Sequence, residues 1–159
     1  MRTETAAPTI RLADYSPPAY LVDRVDLTFR LDPEATHVTA RLALRPNPAT
    51  AASAPADLWL DGSSLDLRAA RLDGSPVLEA ALTRTAEGLR VAADALPACA
   101  FLWEAETVIA PAANTALEGL YMSNGMYCTQ CEAHGFRKIT YFPDRPDVMA
   151  TFDVRIEGD

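Results

Sequence analysis

Apolar and polar residues alternate with period two along most of this chain. Between Tyr20 and Leu31, Val25, Leu27, Phe29 and Leu31 alternate with Asp26, Thr28 and Arg30. Successive side chains of a strand point to opposite faces, so this pattern predicts a half-buried strand. Asp32-Pro33-Glu34 turns the chain, and from His37 to Arg45 one face carries Val38, Ala40, Leu42 and Leu44. Thr39, Arg41, Ala43 and Arg45 fall on the other face, and the two segments predict a hairpin. Leu58 and Leu60 predict a short strand stopped by Asp61-Gly62, and Leu65 to Leu72 another. Asp73-Gly74 signals a hairpin turn, because a type I′ turn needs positive φ and glycine tolerates it; its return strand is expected over Val77 to Thr83. Glu87-Gly88 marks a turn before Leu89 to Ala92. Phe101 to Ile109 alternates again, and so does Val148 to Ile156, where Val148, Ala150, Phe152, Val154 and Ile156 share a face.

Short strands at roughly ten-residue spacing, separated by turn signals, predict an all-β protein, a sandwich or curved sheets. Alanine pairs at 69–70, 80–81 and 92–93 invite a helix, but nearby glycines and prolines and the short segments favour strands. Pro17-Pro18 forbids a helix at the start, so residues 1–18 are expected as an extended arm before a β-domain at 19–159. Asn47 to Pro55 reads as a loop of small residues. The alternation breaks between Pro111 and Asp147: Asn114 to Tyr121 reads as irregular, with at most one short helix near 132–138. The last strand ends almost at Asp159. An edge with nothing beyond it is unusual, so the β-domain is expected to be truncated at its C-terminus, a fragment of a longer protein.

Composition narrows the function. The 159 residues suit one domain with a real core. A net charge of −8 repels phosphate backbones, and no basic cluster compensates, which argues against nucleic acid and against an anionic membrane surface. The first twenty residues hold no apolar run of signal-peptide type, and no window reaches the ~18 apolar residues of a membrane helix. A cytoplasmic location follows as the expectation. Three cysteines do not imply a disulfide framework.

The candidate chemistry lies in the stretch where the alternation fails. Cys128-Thr-Gln-Cys131 has the form of half a zinc site or a redox pair. A structural zinc needs four ligands; there is no second cysteine pair, and neither Cys99 nor His134 stands at a recognised spacing. Two ordinary packed cysteines are the plainer alternative. His37 falls in a strand and reads as a surface or edge residue. Neither H-E-x-x-H, nor G-x-S-x-G, nor a phosphate loop occurs, so no complete catalytic constellation is present. Glu132, between Cys131 and Ala133, is expected to be partly buried and therefore to need a partner. That partner is either Arg137 or Lys138 in a salt bridge, or a ligand cation in an anionic pocket. Arg145, between Pro143 and Pro146, is expected to pin a turn by pairing with Asp144, Asp147 or a carbonyl.

The same stretch carries a resemblance. PAANTALEGL at 111–120, followed by Tyr121, and CTQCEAHGFRKITYFPDRPDVMATF at 128–152, resemble the N-terminal domain of bacterial aminopeptidase N, a gluzincin-type zinc metallo-aminopeptidase. DYSPPAYLVDRVDLTFRLDP at 14–33 fits the opening of that domain. The resemblance implies a saddle-like β-structure laid over a catalytic domain of the same polypeptide, which holds the zinc and the H-E-x-x-H helix. It implies that Gln130 and Glu132 bind the free α-amino group of a peptide substrate, supported by Ala133 and Arg145, and that the Glu132–Ala133 peptide is cis. This chain would then hold no zinc and would be inactive alone. A stand-alone β-sandwich that binds a protein partner is the alternative, and a small zinc or redox module built on Cys128 and Cys131 is a third.

Overall fold

A computed structural model of the chain describes residues 11–50 and 56–158. Its strands are β1 (Tyr20–Arg30), β2 (Thr36–Pro46), β3 (Leu58–Asp61), β4 (Asp66–Leu72), β5 (Ser75–Pro76), β6 (Leu82–Arg84), β7 (Gly88–Val91), β8 (Phe101–Ile109), β9 (Gly119–Ser123), β10 (Met126–Gln130) and β11 (Thr151–Glu157). Helical structure among the described residues is limited to 3-10 turns, so the fold is all-β, as the alternation predicts.

The strands form a six-stranded sheet in the order β11-β1-β2-β8-β4-β5, a three-stranded sheet β3-β7-β6, and the hairpin β9-β10. The expected hairpin of β1 and β2 is present, with Val25 opposite Leu42, Leu27 opposite Ala40 and Phe29 opposite Val38. On the next strand Trp103 stands opposite Leu42 and Ala105 opposite Ala40. All of these are buried, and with Leu58, Leu60, Leu89 and Val91 of the small sheet they build one core. The opposite face is polar: Arg41 pairs with Glu104 at 2.6 Å and Arg71 with Glu106 at 2.6 Å. Such partly exposed pairs favour register and solubility more than stability.

Several expectations need correction. Asp73 and Gly74 do make the two-residue turn, at φ 48° and 79°, with Leu72 opposite Ser75. The return strand, however, is only Ser75–Pro76; Glu79–Ala81 is a 3-10 turn, and Leu82–Arg84 pairs with β7 in the other sheet. Beyond Pro76 one further bond, from the Val77 N–H to the Ala70 carbonyl at 3.0 Å, joins the segment to β4 before the 3-10 turn leads it away. Asn114 to Tyr121, read as irregular, runs into β9, which is joined to β10 by Asn124-Gly125 at φ 49° and 79°. Asn-Gly between two strand-forming segments was the available signal. The short helix near 132–138 reduces to a 3-10 turn, Phe136–Lys138. Of the arm, residues 11–18 are described and include a 3-10 turn at Leu12–Asp14; residues 1–10, and 51–55 of the small-residue loop, lie outside the described residues.

The last strand pairs parallel with β1, setting Phe152, Val154 and Ile156 beside Val25, Leu27 and Phe29. Its alternation therefore marks the core face, but within this chain the row stays 48%, 55% and 66% exposed. Phe152 touches the rings of Phe136 and Phe142 at 5.8 and 6.1 Å. The apolar face of the sheet thus runs on past the part that these residues cover.

Candidate functional site

The hairpin β9-β10 ends with Gln130 opposite Gly119, and the chain then folds back over that end. Two glycines permit the approach. A Cβ on Gly135 would lie 2.2 Å from the Gln130 carbonyl oxygen and 2.9 Å from the Cys131 Cα. Gly119 is at φ +72°, with the Lys138 Cβ 2.8 Å from where its own Cβ would stand. The Gly135 N–H donates to the Cys131 carbonyl at 2.8 Å and closes a tight turn. Glu132, Ala133 and His134 form its exposed tip, and the Glu132–Ala133 peptide is cis.

Gln130 and Glu132 come together at this turn. Gln130 donates through Nε2 to the Glu132 main-chain carbonyl at 3.2 Å. A carbonyl accepts only from the NH₂ end of the amide, so this bond fixes which way the side chain faces. Gln130 Oε1 takes no hydrogen bond among the described residues.

Partial burial of Glu132 was the expectation; the residue is exposed, because its apolar neighbours in sequence do not fold over it. Nor does it pair with either expected cation. Lys138 lies 3.5 Å from Glu118, and the Arg137 guanidinium lies 3.0 Å from Asp144 and 3.6 Å from Asp61. Among the described residues the Glu132 carboxylate has no ion pair. Arg145 is engaged elsewhere. Its Nε and Nη2 donate to Asp147 at 2.9 and 2.7 Å, and Nη2 also donates to the Ser16 carbonyl at 2.9 Å. Tyr15 completes that cluster by donating to Asp147 at 3.0 Å. The expected pinning of a turn is therefore realised through Asp147 and a carbonyl.

Asp61 could not be singled out from sequence. It stands on β3, 83 residues before Asp144, and its Oδ2 accepts the Asp144 N–H at 2.9 Å. Pairing through the isolated bridge Asp61–Phe142 ties the same point of β3 to the loop. Only a ladder between distant segments could have revealed this.

The cysteines are free thiols, with Cys128 and Cys131 half-buried. Burial, and secondarily the Asp144 charge, push the Cys131 thiol above its ordinary range. No group of three or more His, Cys, Asp or Glu able to hold a metal occurs among the described residues. A cavity of about 320 Å³ nearby is lined by Ser64, Asn114, Leu120 and Lys138 among others, and Gln130 and Glu132 are not part of it. The two present an acceptor and a carboxylate on open surface.

The described residues form a β-domain that carries polar groups on an open loop. Residues 17–159 match the peptidase M1 N-terminal domain, and the chain belongs to that family. It is 43% identical over its whole length to aminopeptidase N of Caulobacter vibrioides, and 44% identical over 147 residues, 92% of this chain, to that of Escherichia coli. It spans only 18% and 16% of the length of those two relatives. Among solved structures, Legionella pneumophila aminopeptidase A in complex with aspartic acid matches 92% of this chain and 17% of its own, with a TM-score of 0.83 and 31% identity. An M1 zinc metallopeptidase from Deinococcus radiodurans, bound to a Tyr-Ser-Ala substrate, shares the fold over 87% of this chain and 32% of its own, at TM-score 0.68 and 21% identity. No helix of the described residues is long and apolar enough to cross a membrane.

Proposed function

We propose that this chain anchors the free α-amino group of a peptide substrate through Glu132 and Gln130, on behalf of a catalytic domain in the same polypeptide. The observation that carries the reading is the exposed Glu132 carboxylate, without an ion pair among the described residues, beside a Gln130 whose amide nitrogen is already engaged. An α-amino group has a pKa near ~8 and is mostly cationic at neutral pH. It can donate to the carboxylate and to Gln130 Oε1 together. A peptide bond in the same place offers one neutral N–H and leaves the carboxylate unpaired, so the pair selects chain ends.

On an open surface such a bond is weak, because water competes for both partners. The reading therefore needs a second surface that excludes water. The length of the relatives supports one, and so does the apolar row Phe152, Val154 and Ile156, which extends the core face without cover. In this reading the zinc of the M1 metallopeptidases belongs to that second part and supplies the hydrolytic chemistry. The present residues bind and orient the substrate, and residues 1–159 alone do not hydrolyse peptides.

The test replaces Glu132 with Gln in the complete gene product, assayed on an alanyl chromogenic substrate. A charge-assisted hydrogen bond in a water-poor site is worth about 1.5–3 kcal/mol, so KM should rise roughly 10- to 150-fold. An unchanged KM would remove Glu132 from the site. Residues 1–159 alone, with zinc added, should show no turnover; turnover that persists through repurification contradicts the assignment of the chemistry to another part.

A further inference from the structure

Between the end of β10 at Gln130 and the start of β11 at Thr151 the chain joins no extended ladder. The loop that carries Glu132 is held instead by isolated main-chain bonds, such as the Asp61–Phe142 bridge, and by side chains. The densest fastening is at Asp144. Its Oδ2 accepts from the Arg137 main-chain N–H at 3.2 Å and from Arg137 Nε at 3.0 Å, and its carbonyl accepts from Arg137 Nη2 at 3.0 Å. Its own N–H donates to Asp61 Oδ2 at 2.9 Å. The Arg137 carbonyl in turn accepts from the Ser63 N–H at 3.0 Å, so both ends of the clasp are fixed to the β3 segment.

We propose that Asp144, clasping Arg137 and tied to Asp61, is a positioning residue for the Glu132 carboxylate; the proposal rests on the reading of Glu132 given above. The clasp does two things. It fixes the base of the loop, because the side chains of Arg137, Asp144 and Asp61 are only 24%, 12% and 16% exposed and water screens them little. It also keeps the guanidinium occupied. Arg137 belongs to the same loop as Glu132, five residues on, and its guanidinium is held by Asp144 at 3.0 Å and by Asp61 at 3.6 Å. Asp144 thus keeps Glu132 available to a cation that arrives from outside.

The test is a double-mutant cycle in the complete gene product. Asp144→Asn should raise KM for an alanyl substrate about tenfold, with kcat within about twofold. In a Glu132→Gln background the same substitution should change KM less than about twofold, because the carboxylate it positions is gone. A merely structural role predicts the same KM change in both backgrounds. Leu44→Ala, a core truncation near the far end of β2, opposite Phe101, controls for lost stability and should leave KM unchanged. If Asp144→Asn does not fold, Asp61→Asn carries the same cycle. An unchanged KM in the single variant, or equal changes in both backgrounds, overturns the positioning role while Glu132→Gln still raises KM. If Glu132→Gln itself has no effect, the reading of the site fails and the positioning role with it.

Discussion

Gln130 binds the main-chain carbonyl of Glu132 at 3.2 Å, not its carboxylate. This bond steadies the turn while leaving both acidic oxygens of Glu132 open. The bond is exposed, so Gln130→Ala should cost this chain less than about 1 kcal/mol in thermal or urea unfolding. The same substitution in the complete gene product should raise KM for a free-amine substrate, since an acceptor is lost too. A stability loss without any KM effect would make Gln130 a fastening of the turn alone.

Gly135 should be the least replaceable glycine of the loop. At φ −82° any residue could adopt its backbone, so the constraint is space. An added Cβ would meet main-chain atoms of Gln130 and Cys131, which cannot swing aside. Gly135→Ala is expected to cost about 1–3 kcal/mol or to displace the turn. Gly125→Ala is the comparison: it meets no atom within 4 Å and carries only the ~1–2 kcal/mol of a left-handed alanine. Melting both variants should show the larger loss at Gly135.

The arm should detach in acid. The hydrogen bonds from Arg145 hold the Asp147 carboxyl below its ordinary range, against an opposing effect of burial, and the Tyr15 hydroxyl assists. A carboxylate whose native pKa is lowered contributes stability above its unfolded value of ~3.9 and loses it as pH falls through the native value. The difference in stability between the parent chain and Asp147→Asn should therefore be constant above about pH 5 and shrink below ~pH 4. Ring signals of Tyr15 in NMR should shift over that same acidic window. A difference that instead changes only near neutral pH would assign it to another group.

The exposed row of β11 should make the isolated chain associate. Phe152, Val154 and Ile156 present a contiguous apolar edge face, the kind of surface that drives self-association. Light scattering at rising concentration should show growth beyond the monomer, and Val154→Lys should suppress it with little change in melting temperature. A monomer at high concentration would show that the row is too small to act alone.

Period-two alternation located β1, β2 and β8 from the sequence, because each of these strands turns one apolar face to the core of this same chain, while turn signals bounded the shorter β3, β4 and β7. The alternation located β11 as well, but a period of two marks an apolar face without saying how far that face is covered. The pairing of β6 with β7 was hidden because a strand from Leu82 to Arg84 is too short to show a period. At the site, Gln130 and Glu132 were readable only through resemblance to the aminopeptidase N domain. The exposure of Glu132 depends on a fold-back at Gly135 that no local propensity encodes. Asp61 and its link to Asp144 depend on a bridge between distant segments, where local pattern carries no information.

The central claim is that Glu132 receives the substrate amine, and a crystal structure of the complete gene product with a free-amine peptide or amino acid tests it most directly. The account predicts the α-amino nitrogen ~2.7–3.0 Å from a Glu132 carboxylate oxygen and within hydrogen-bonding distance of Gln130 Oε1. An amine held by other groups, with Glu132 turned to solvent, would contradict it.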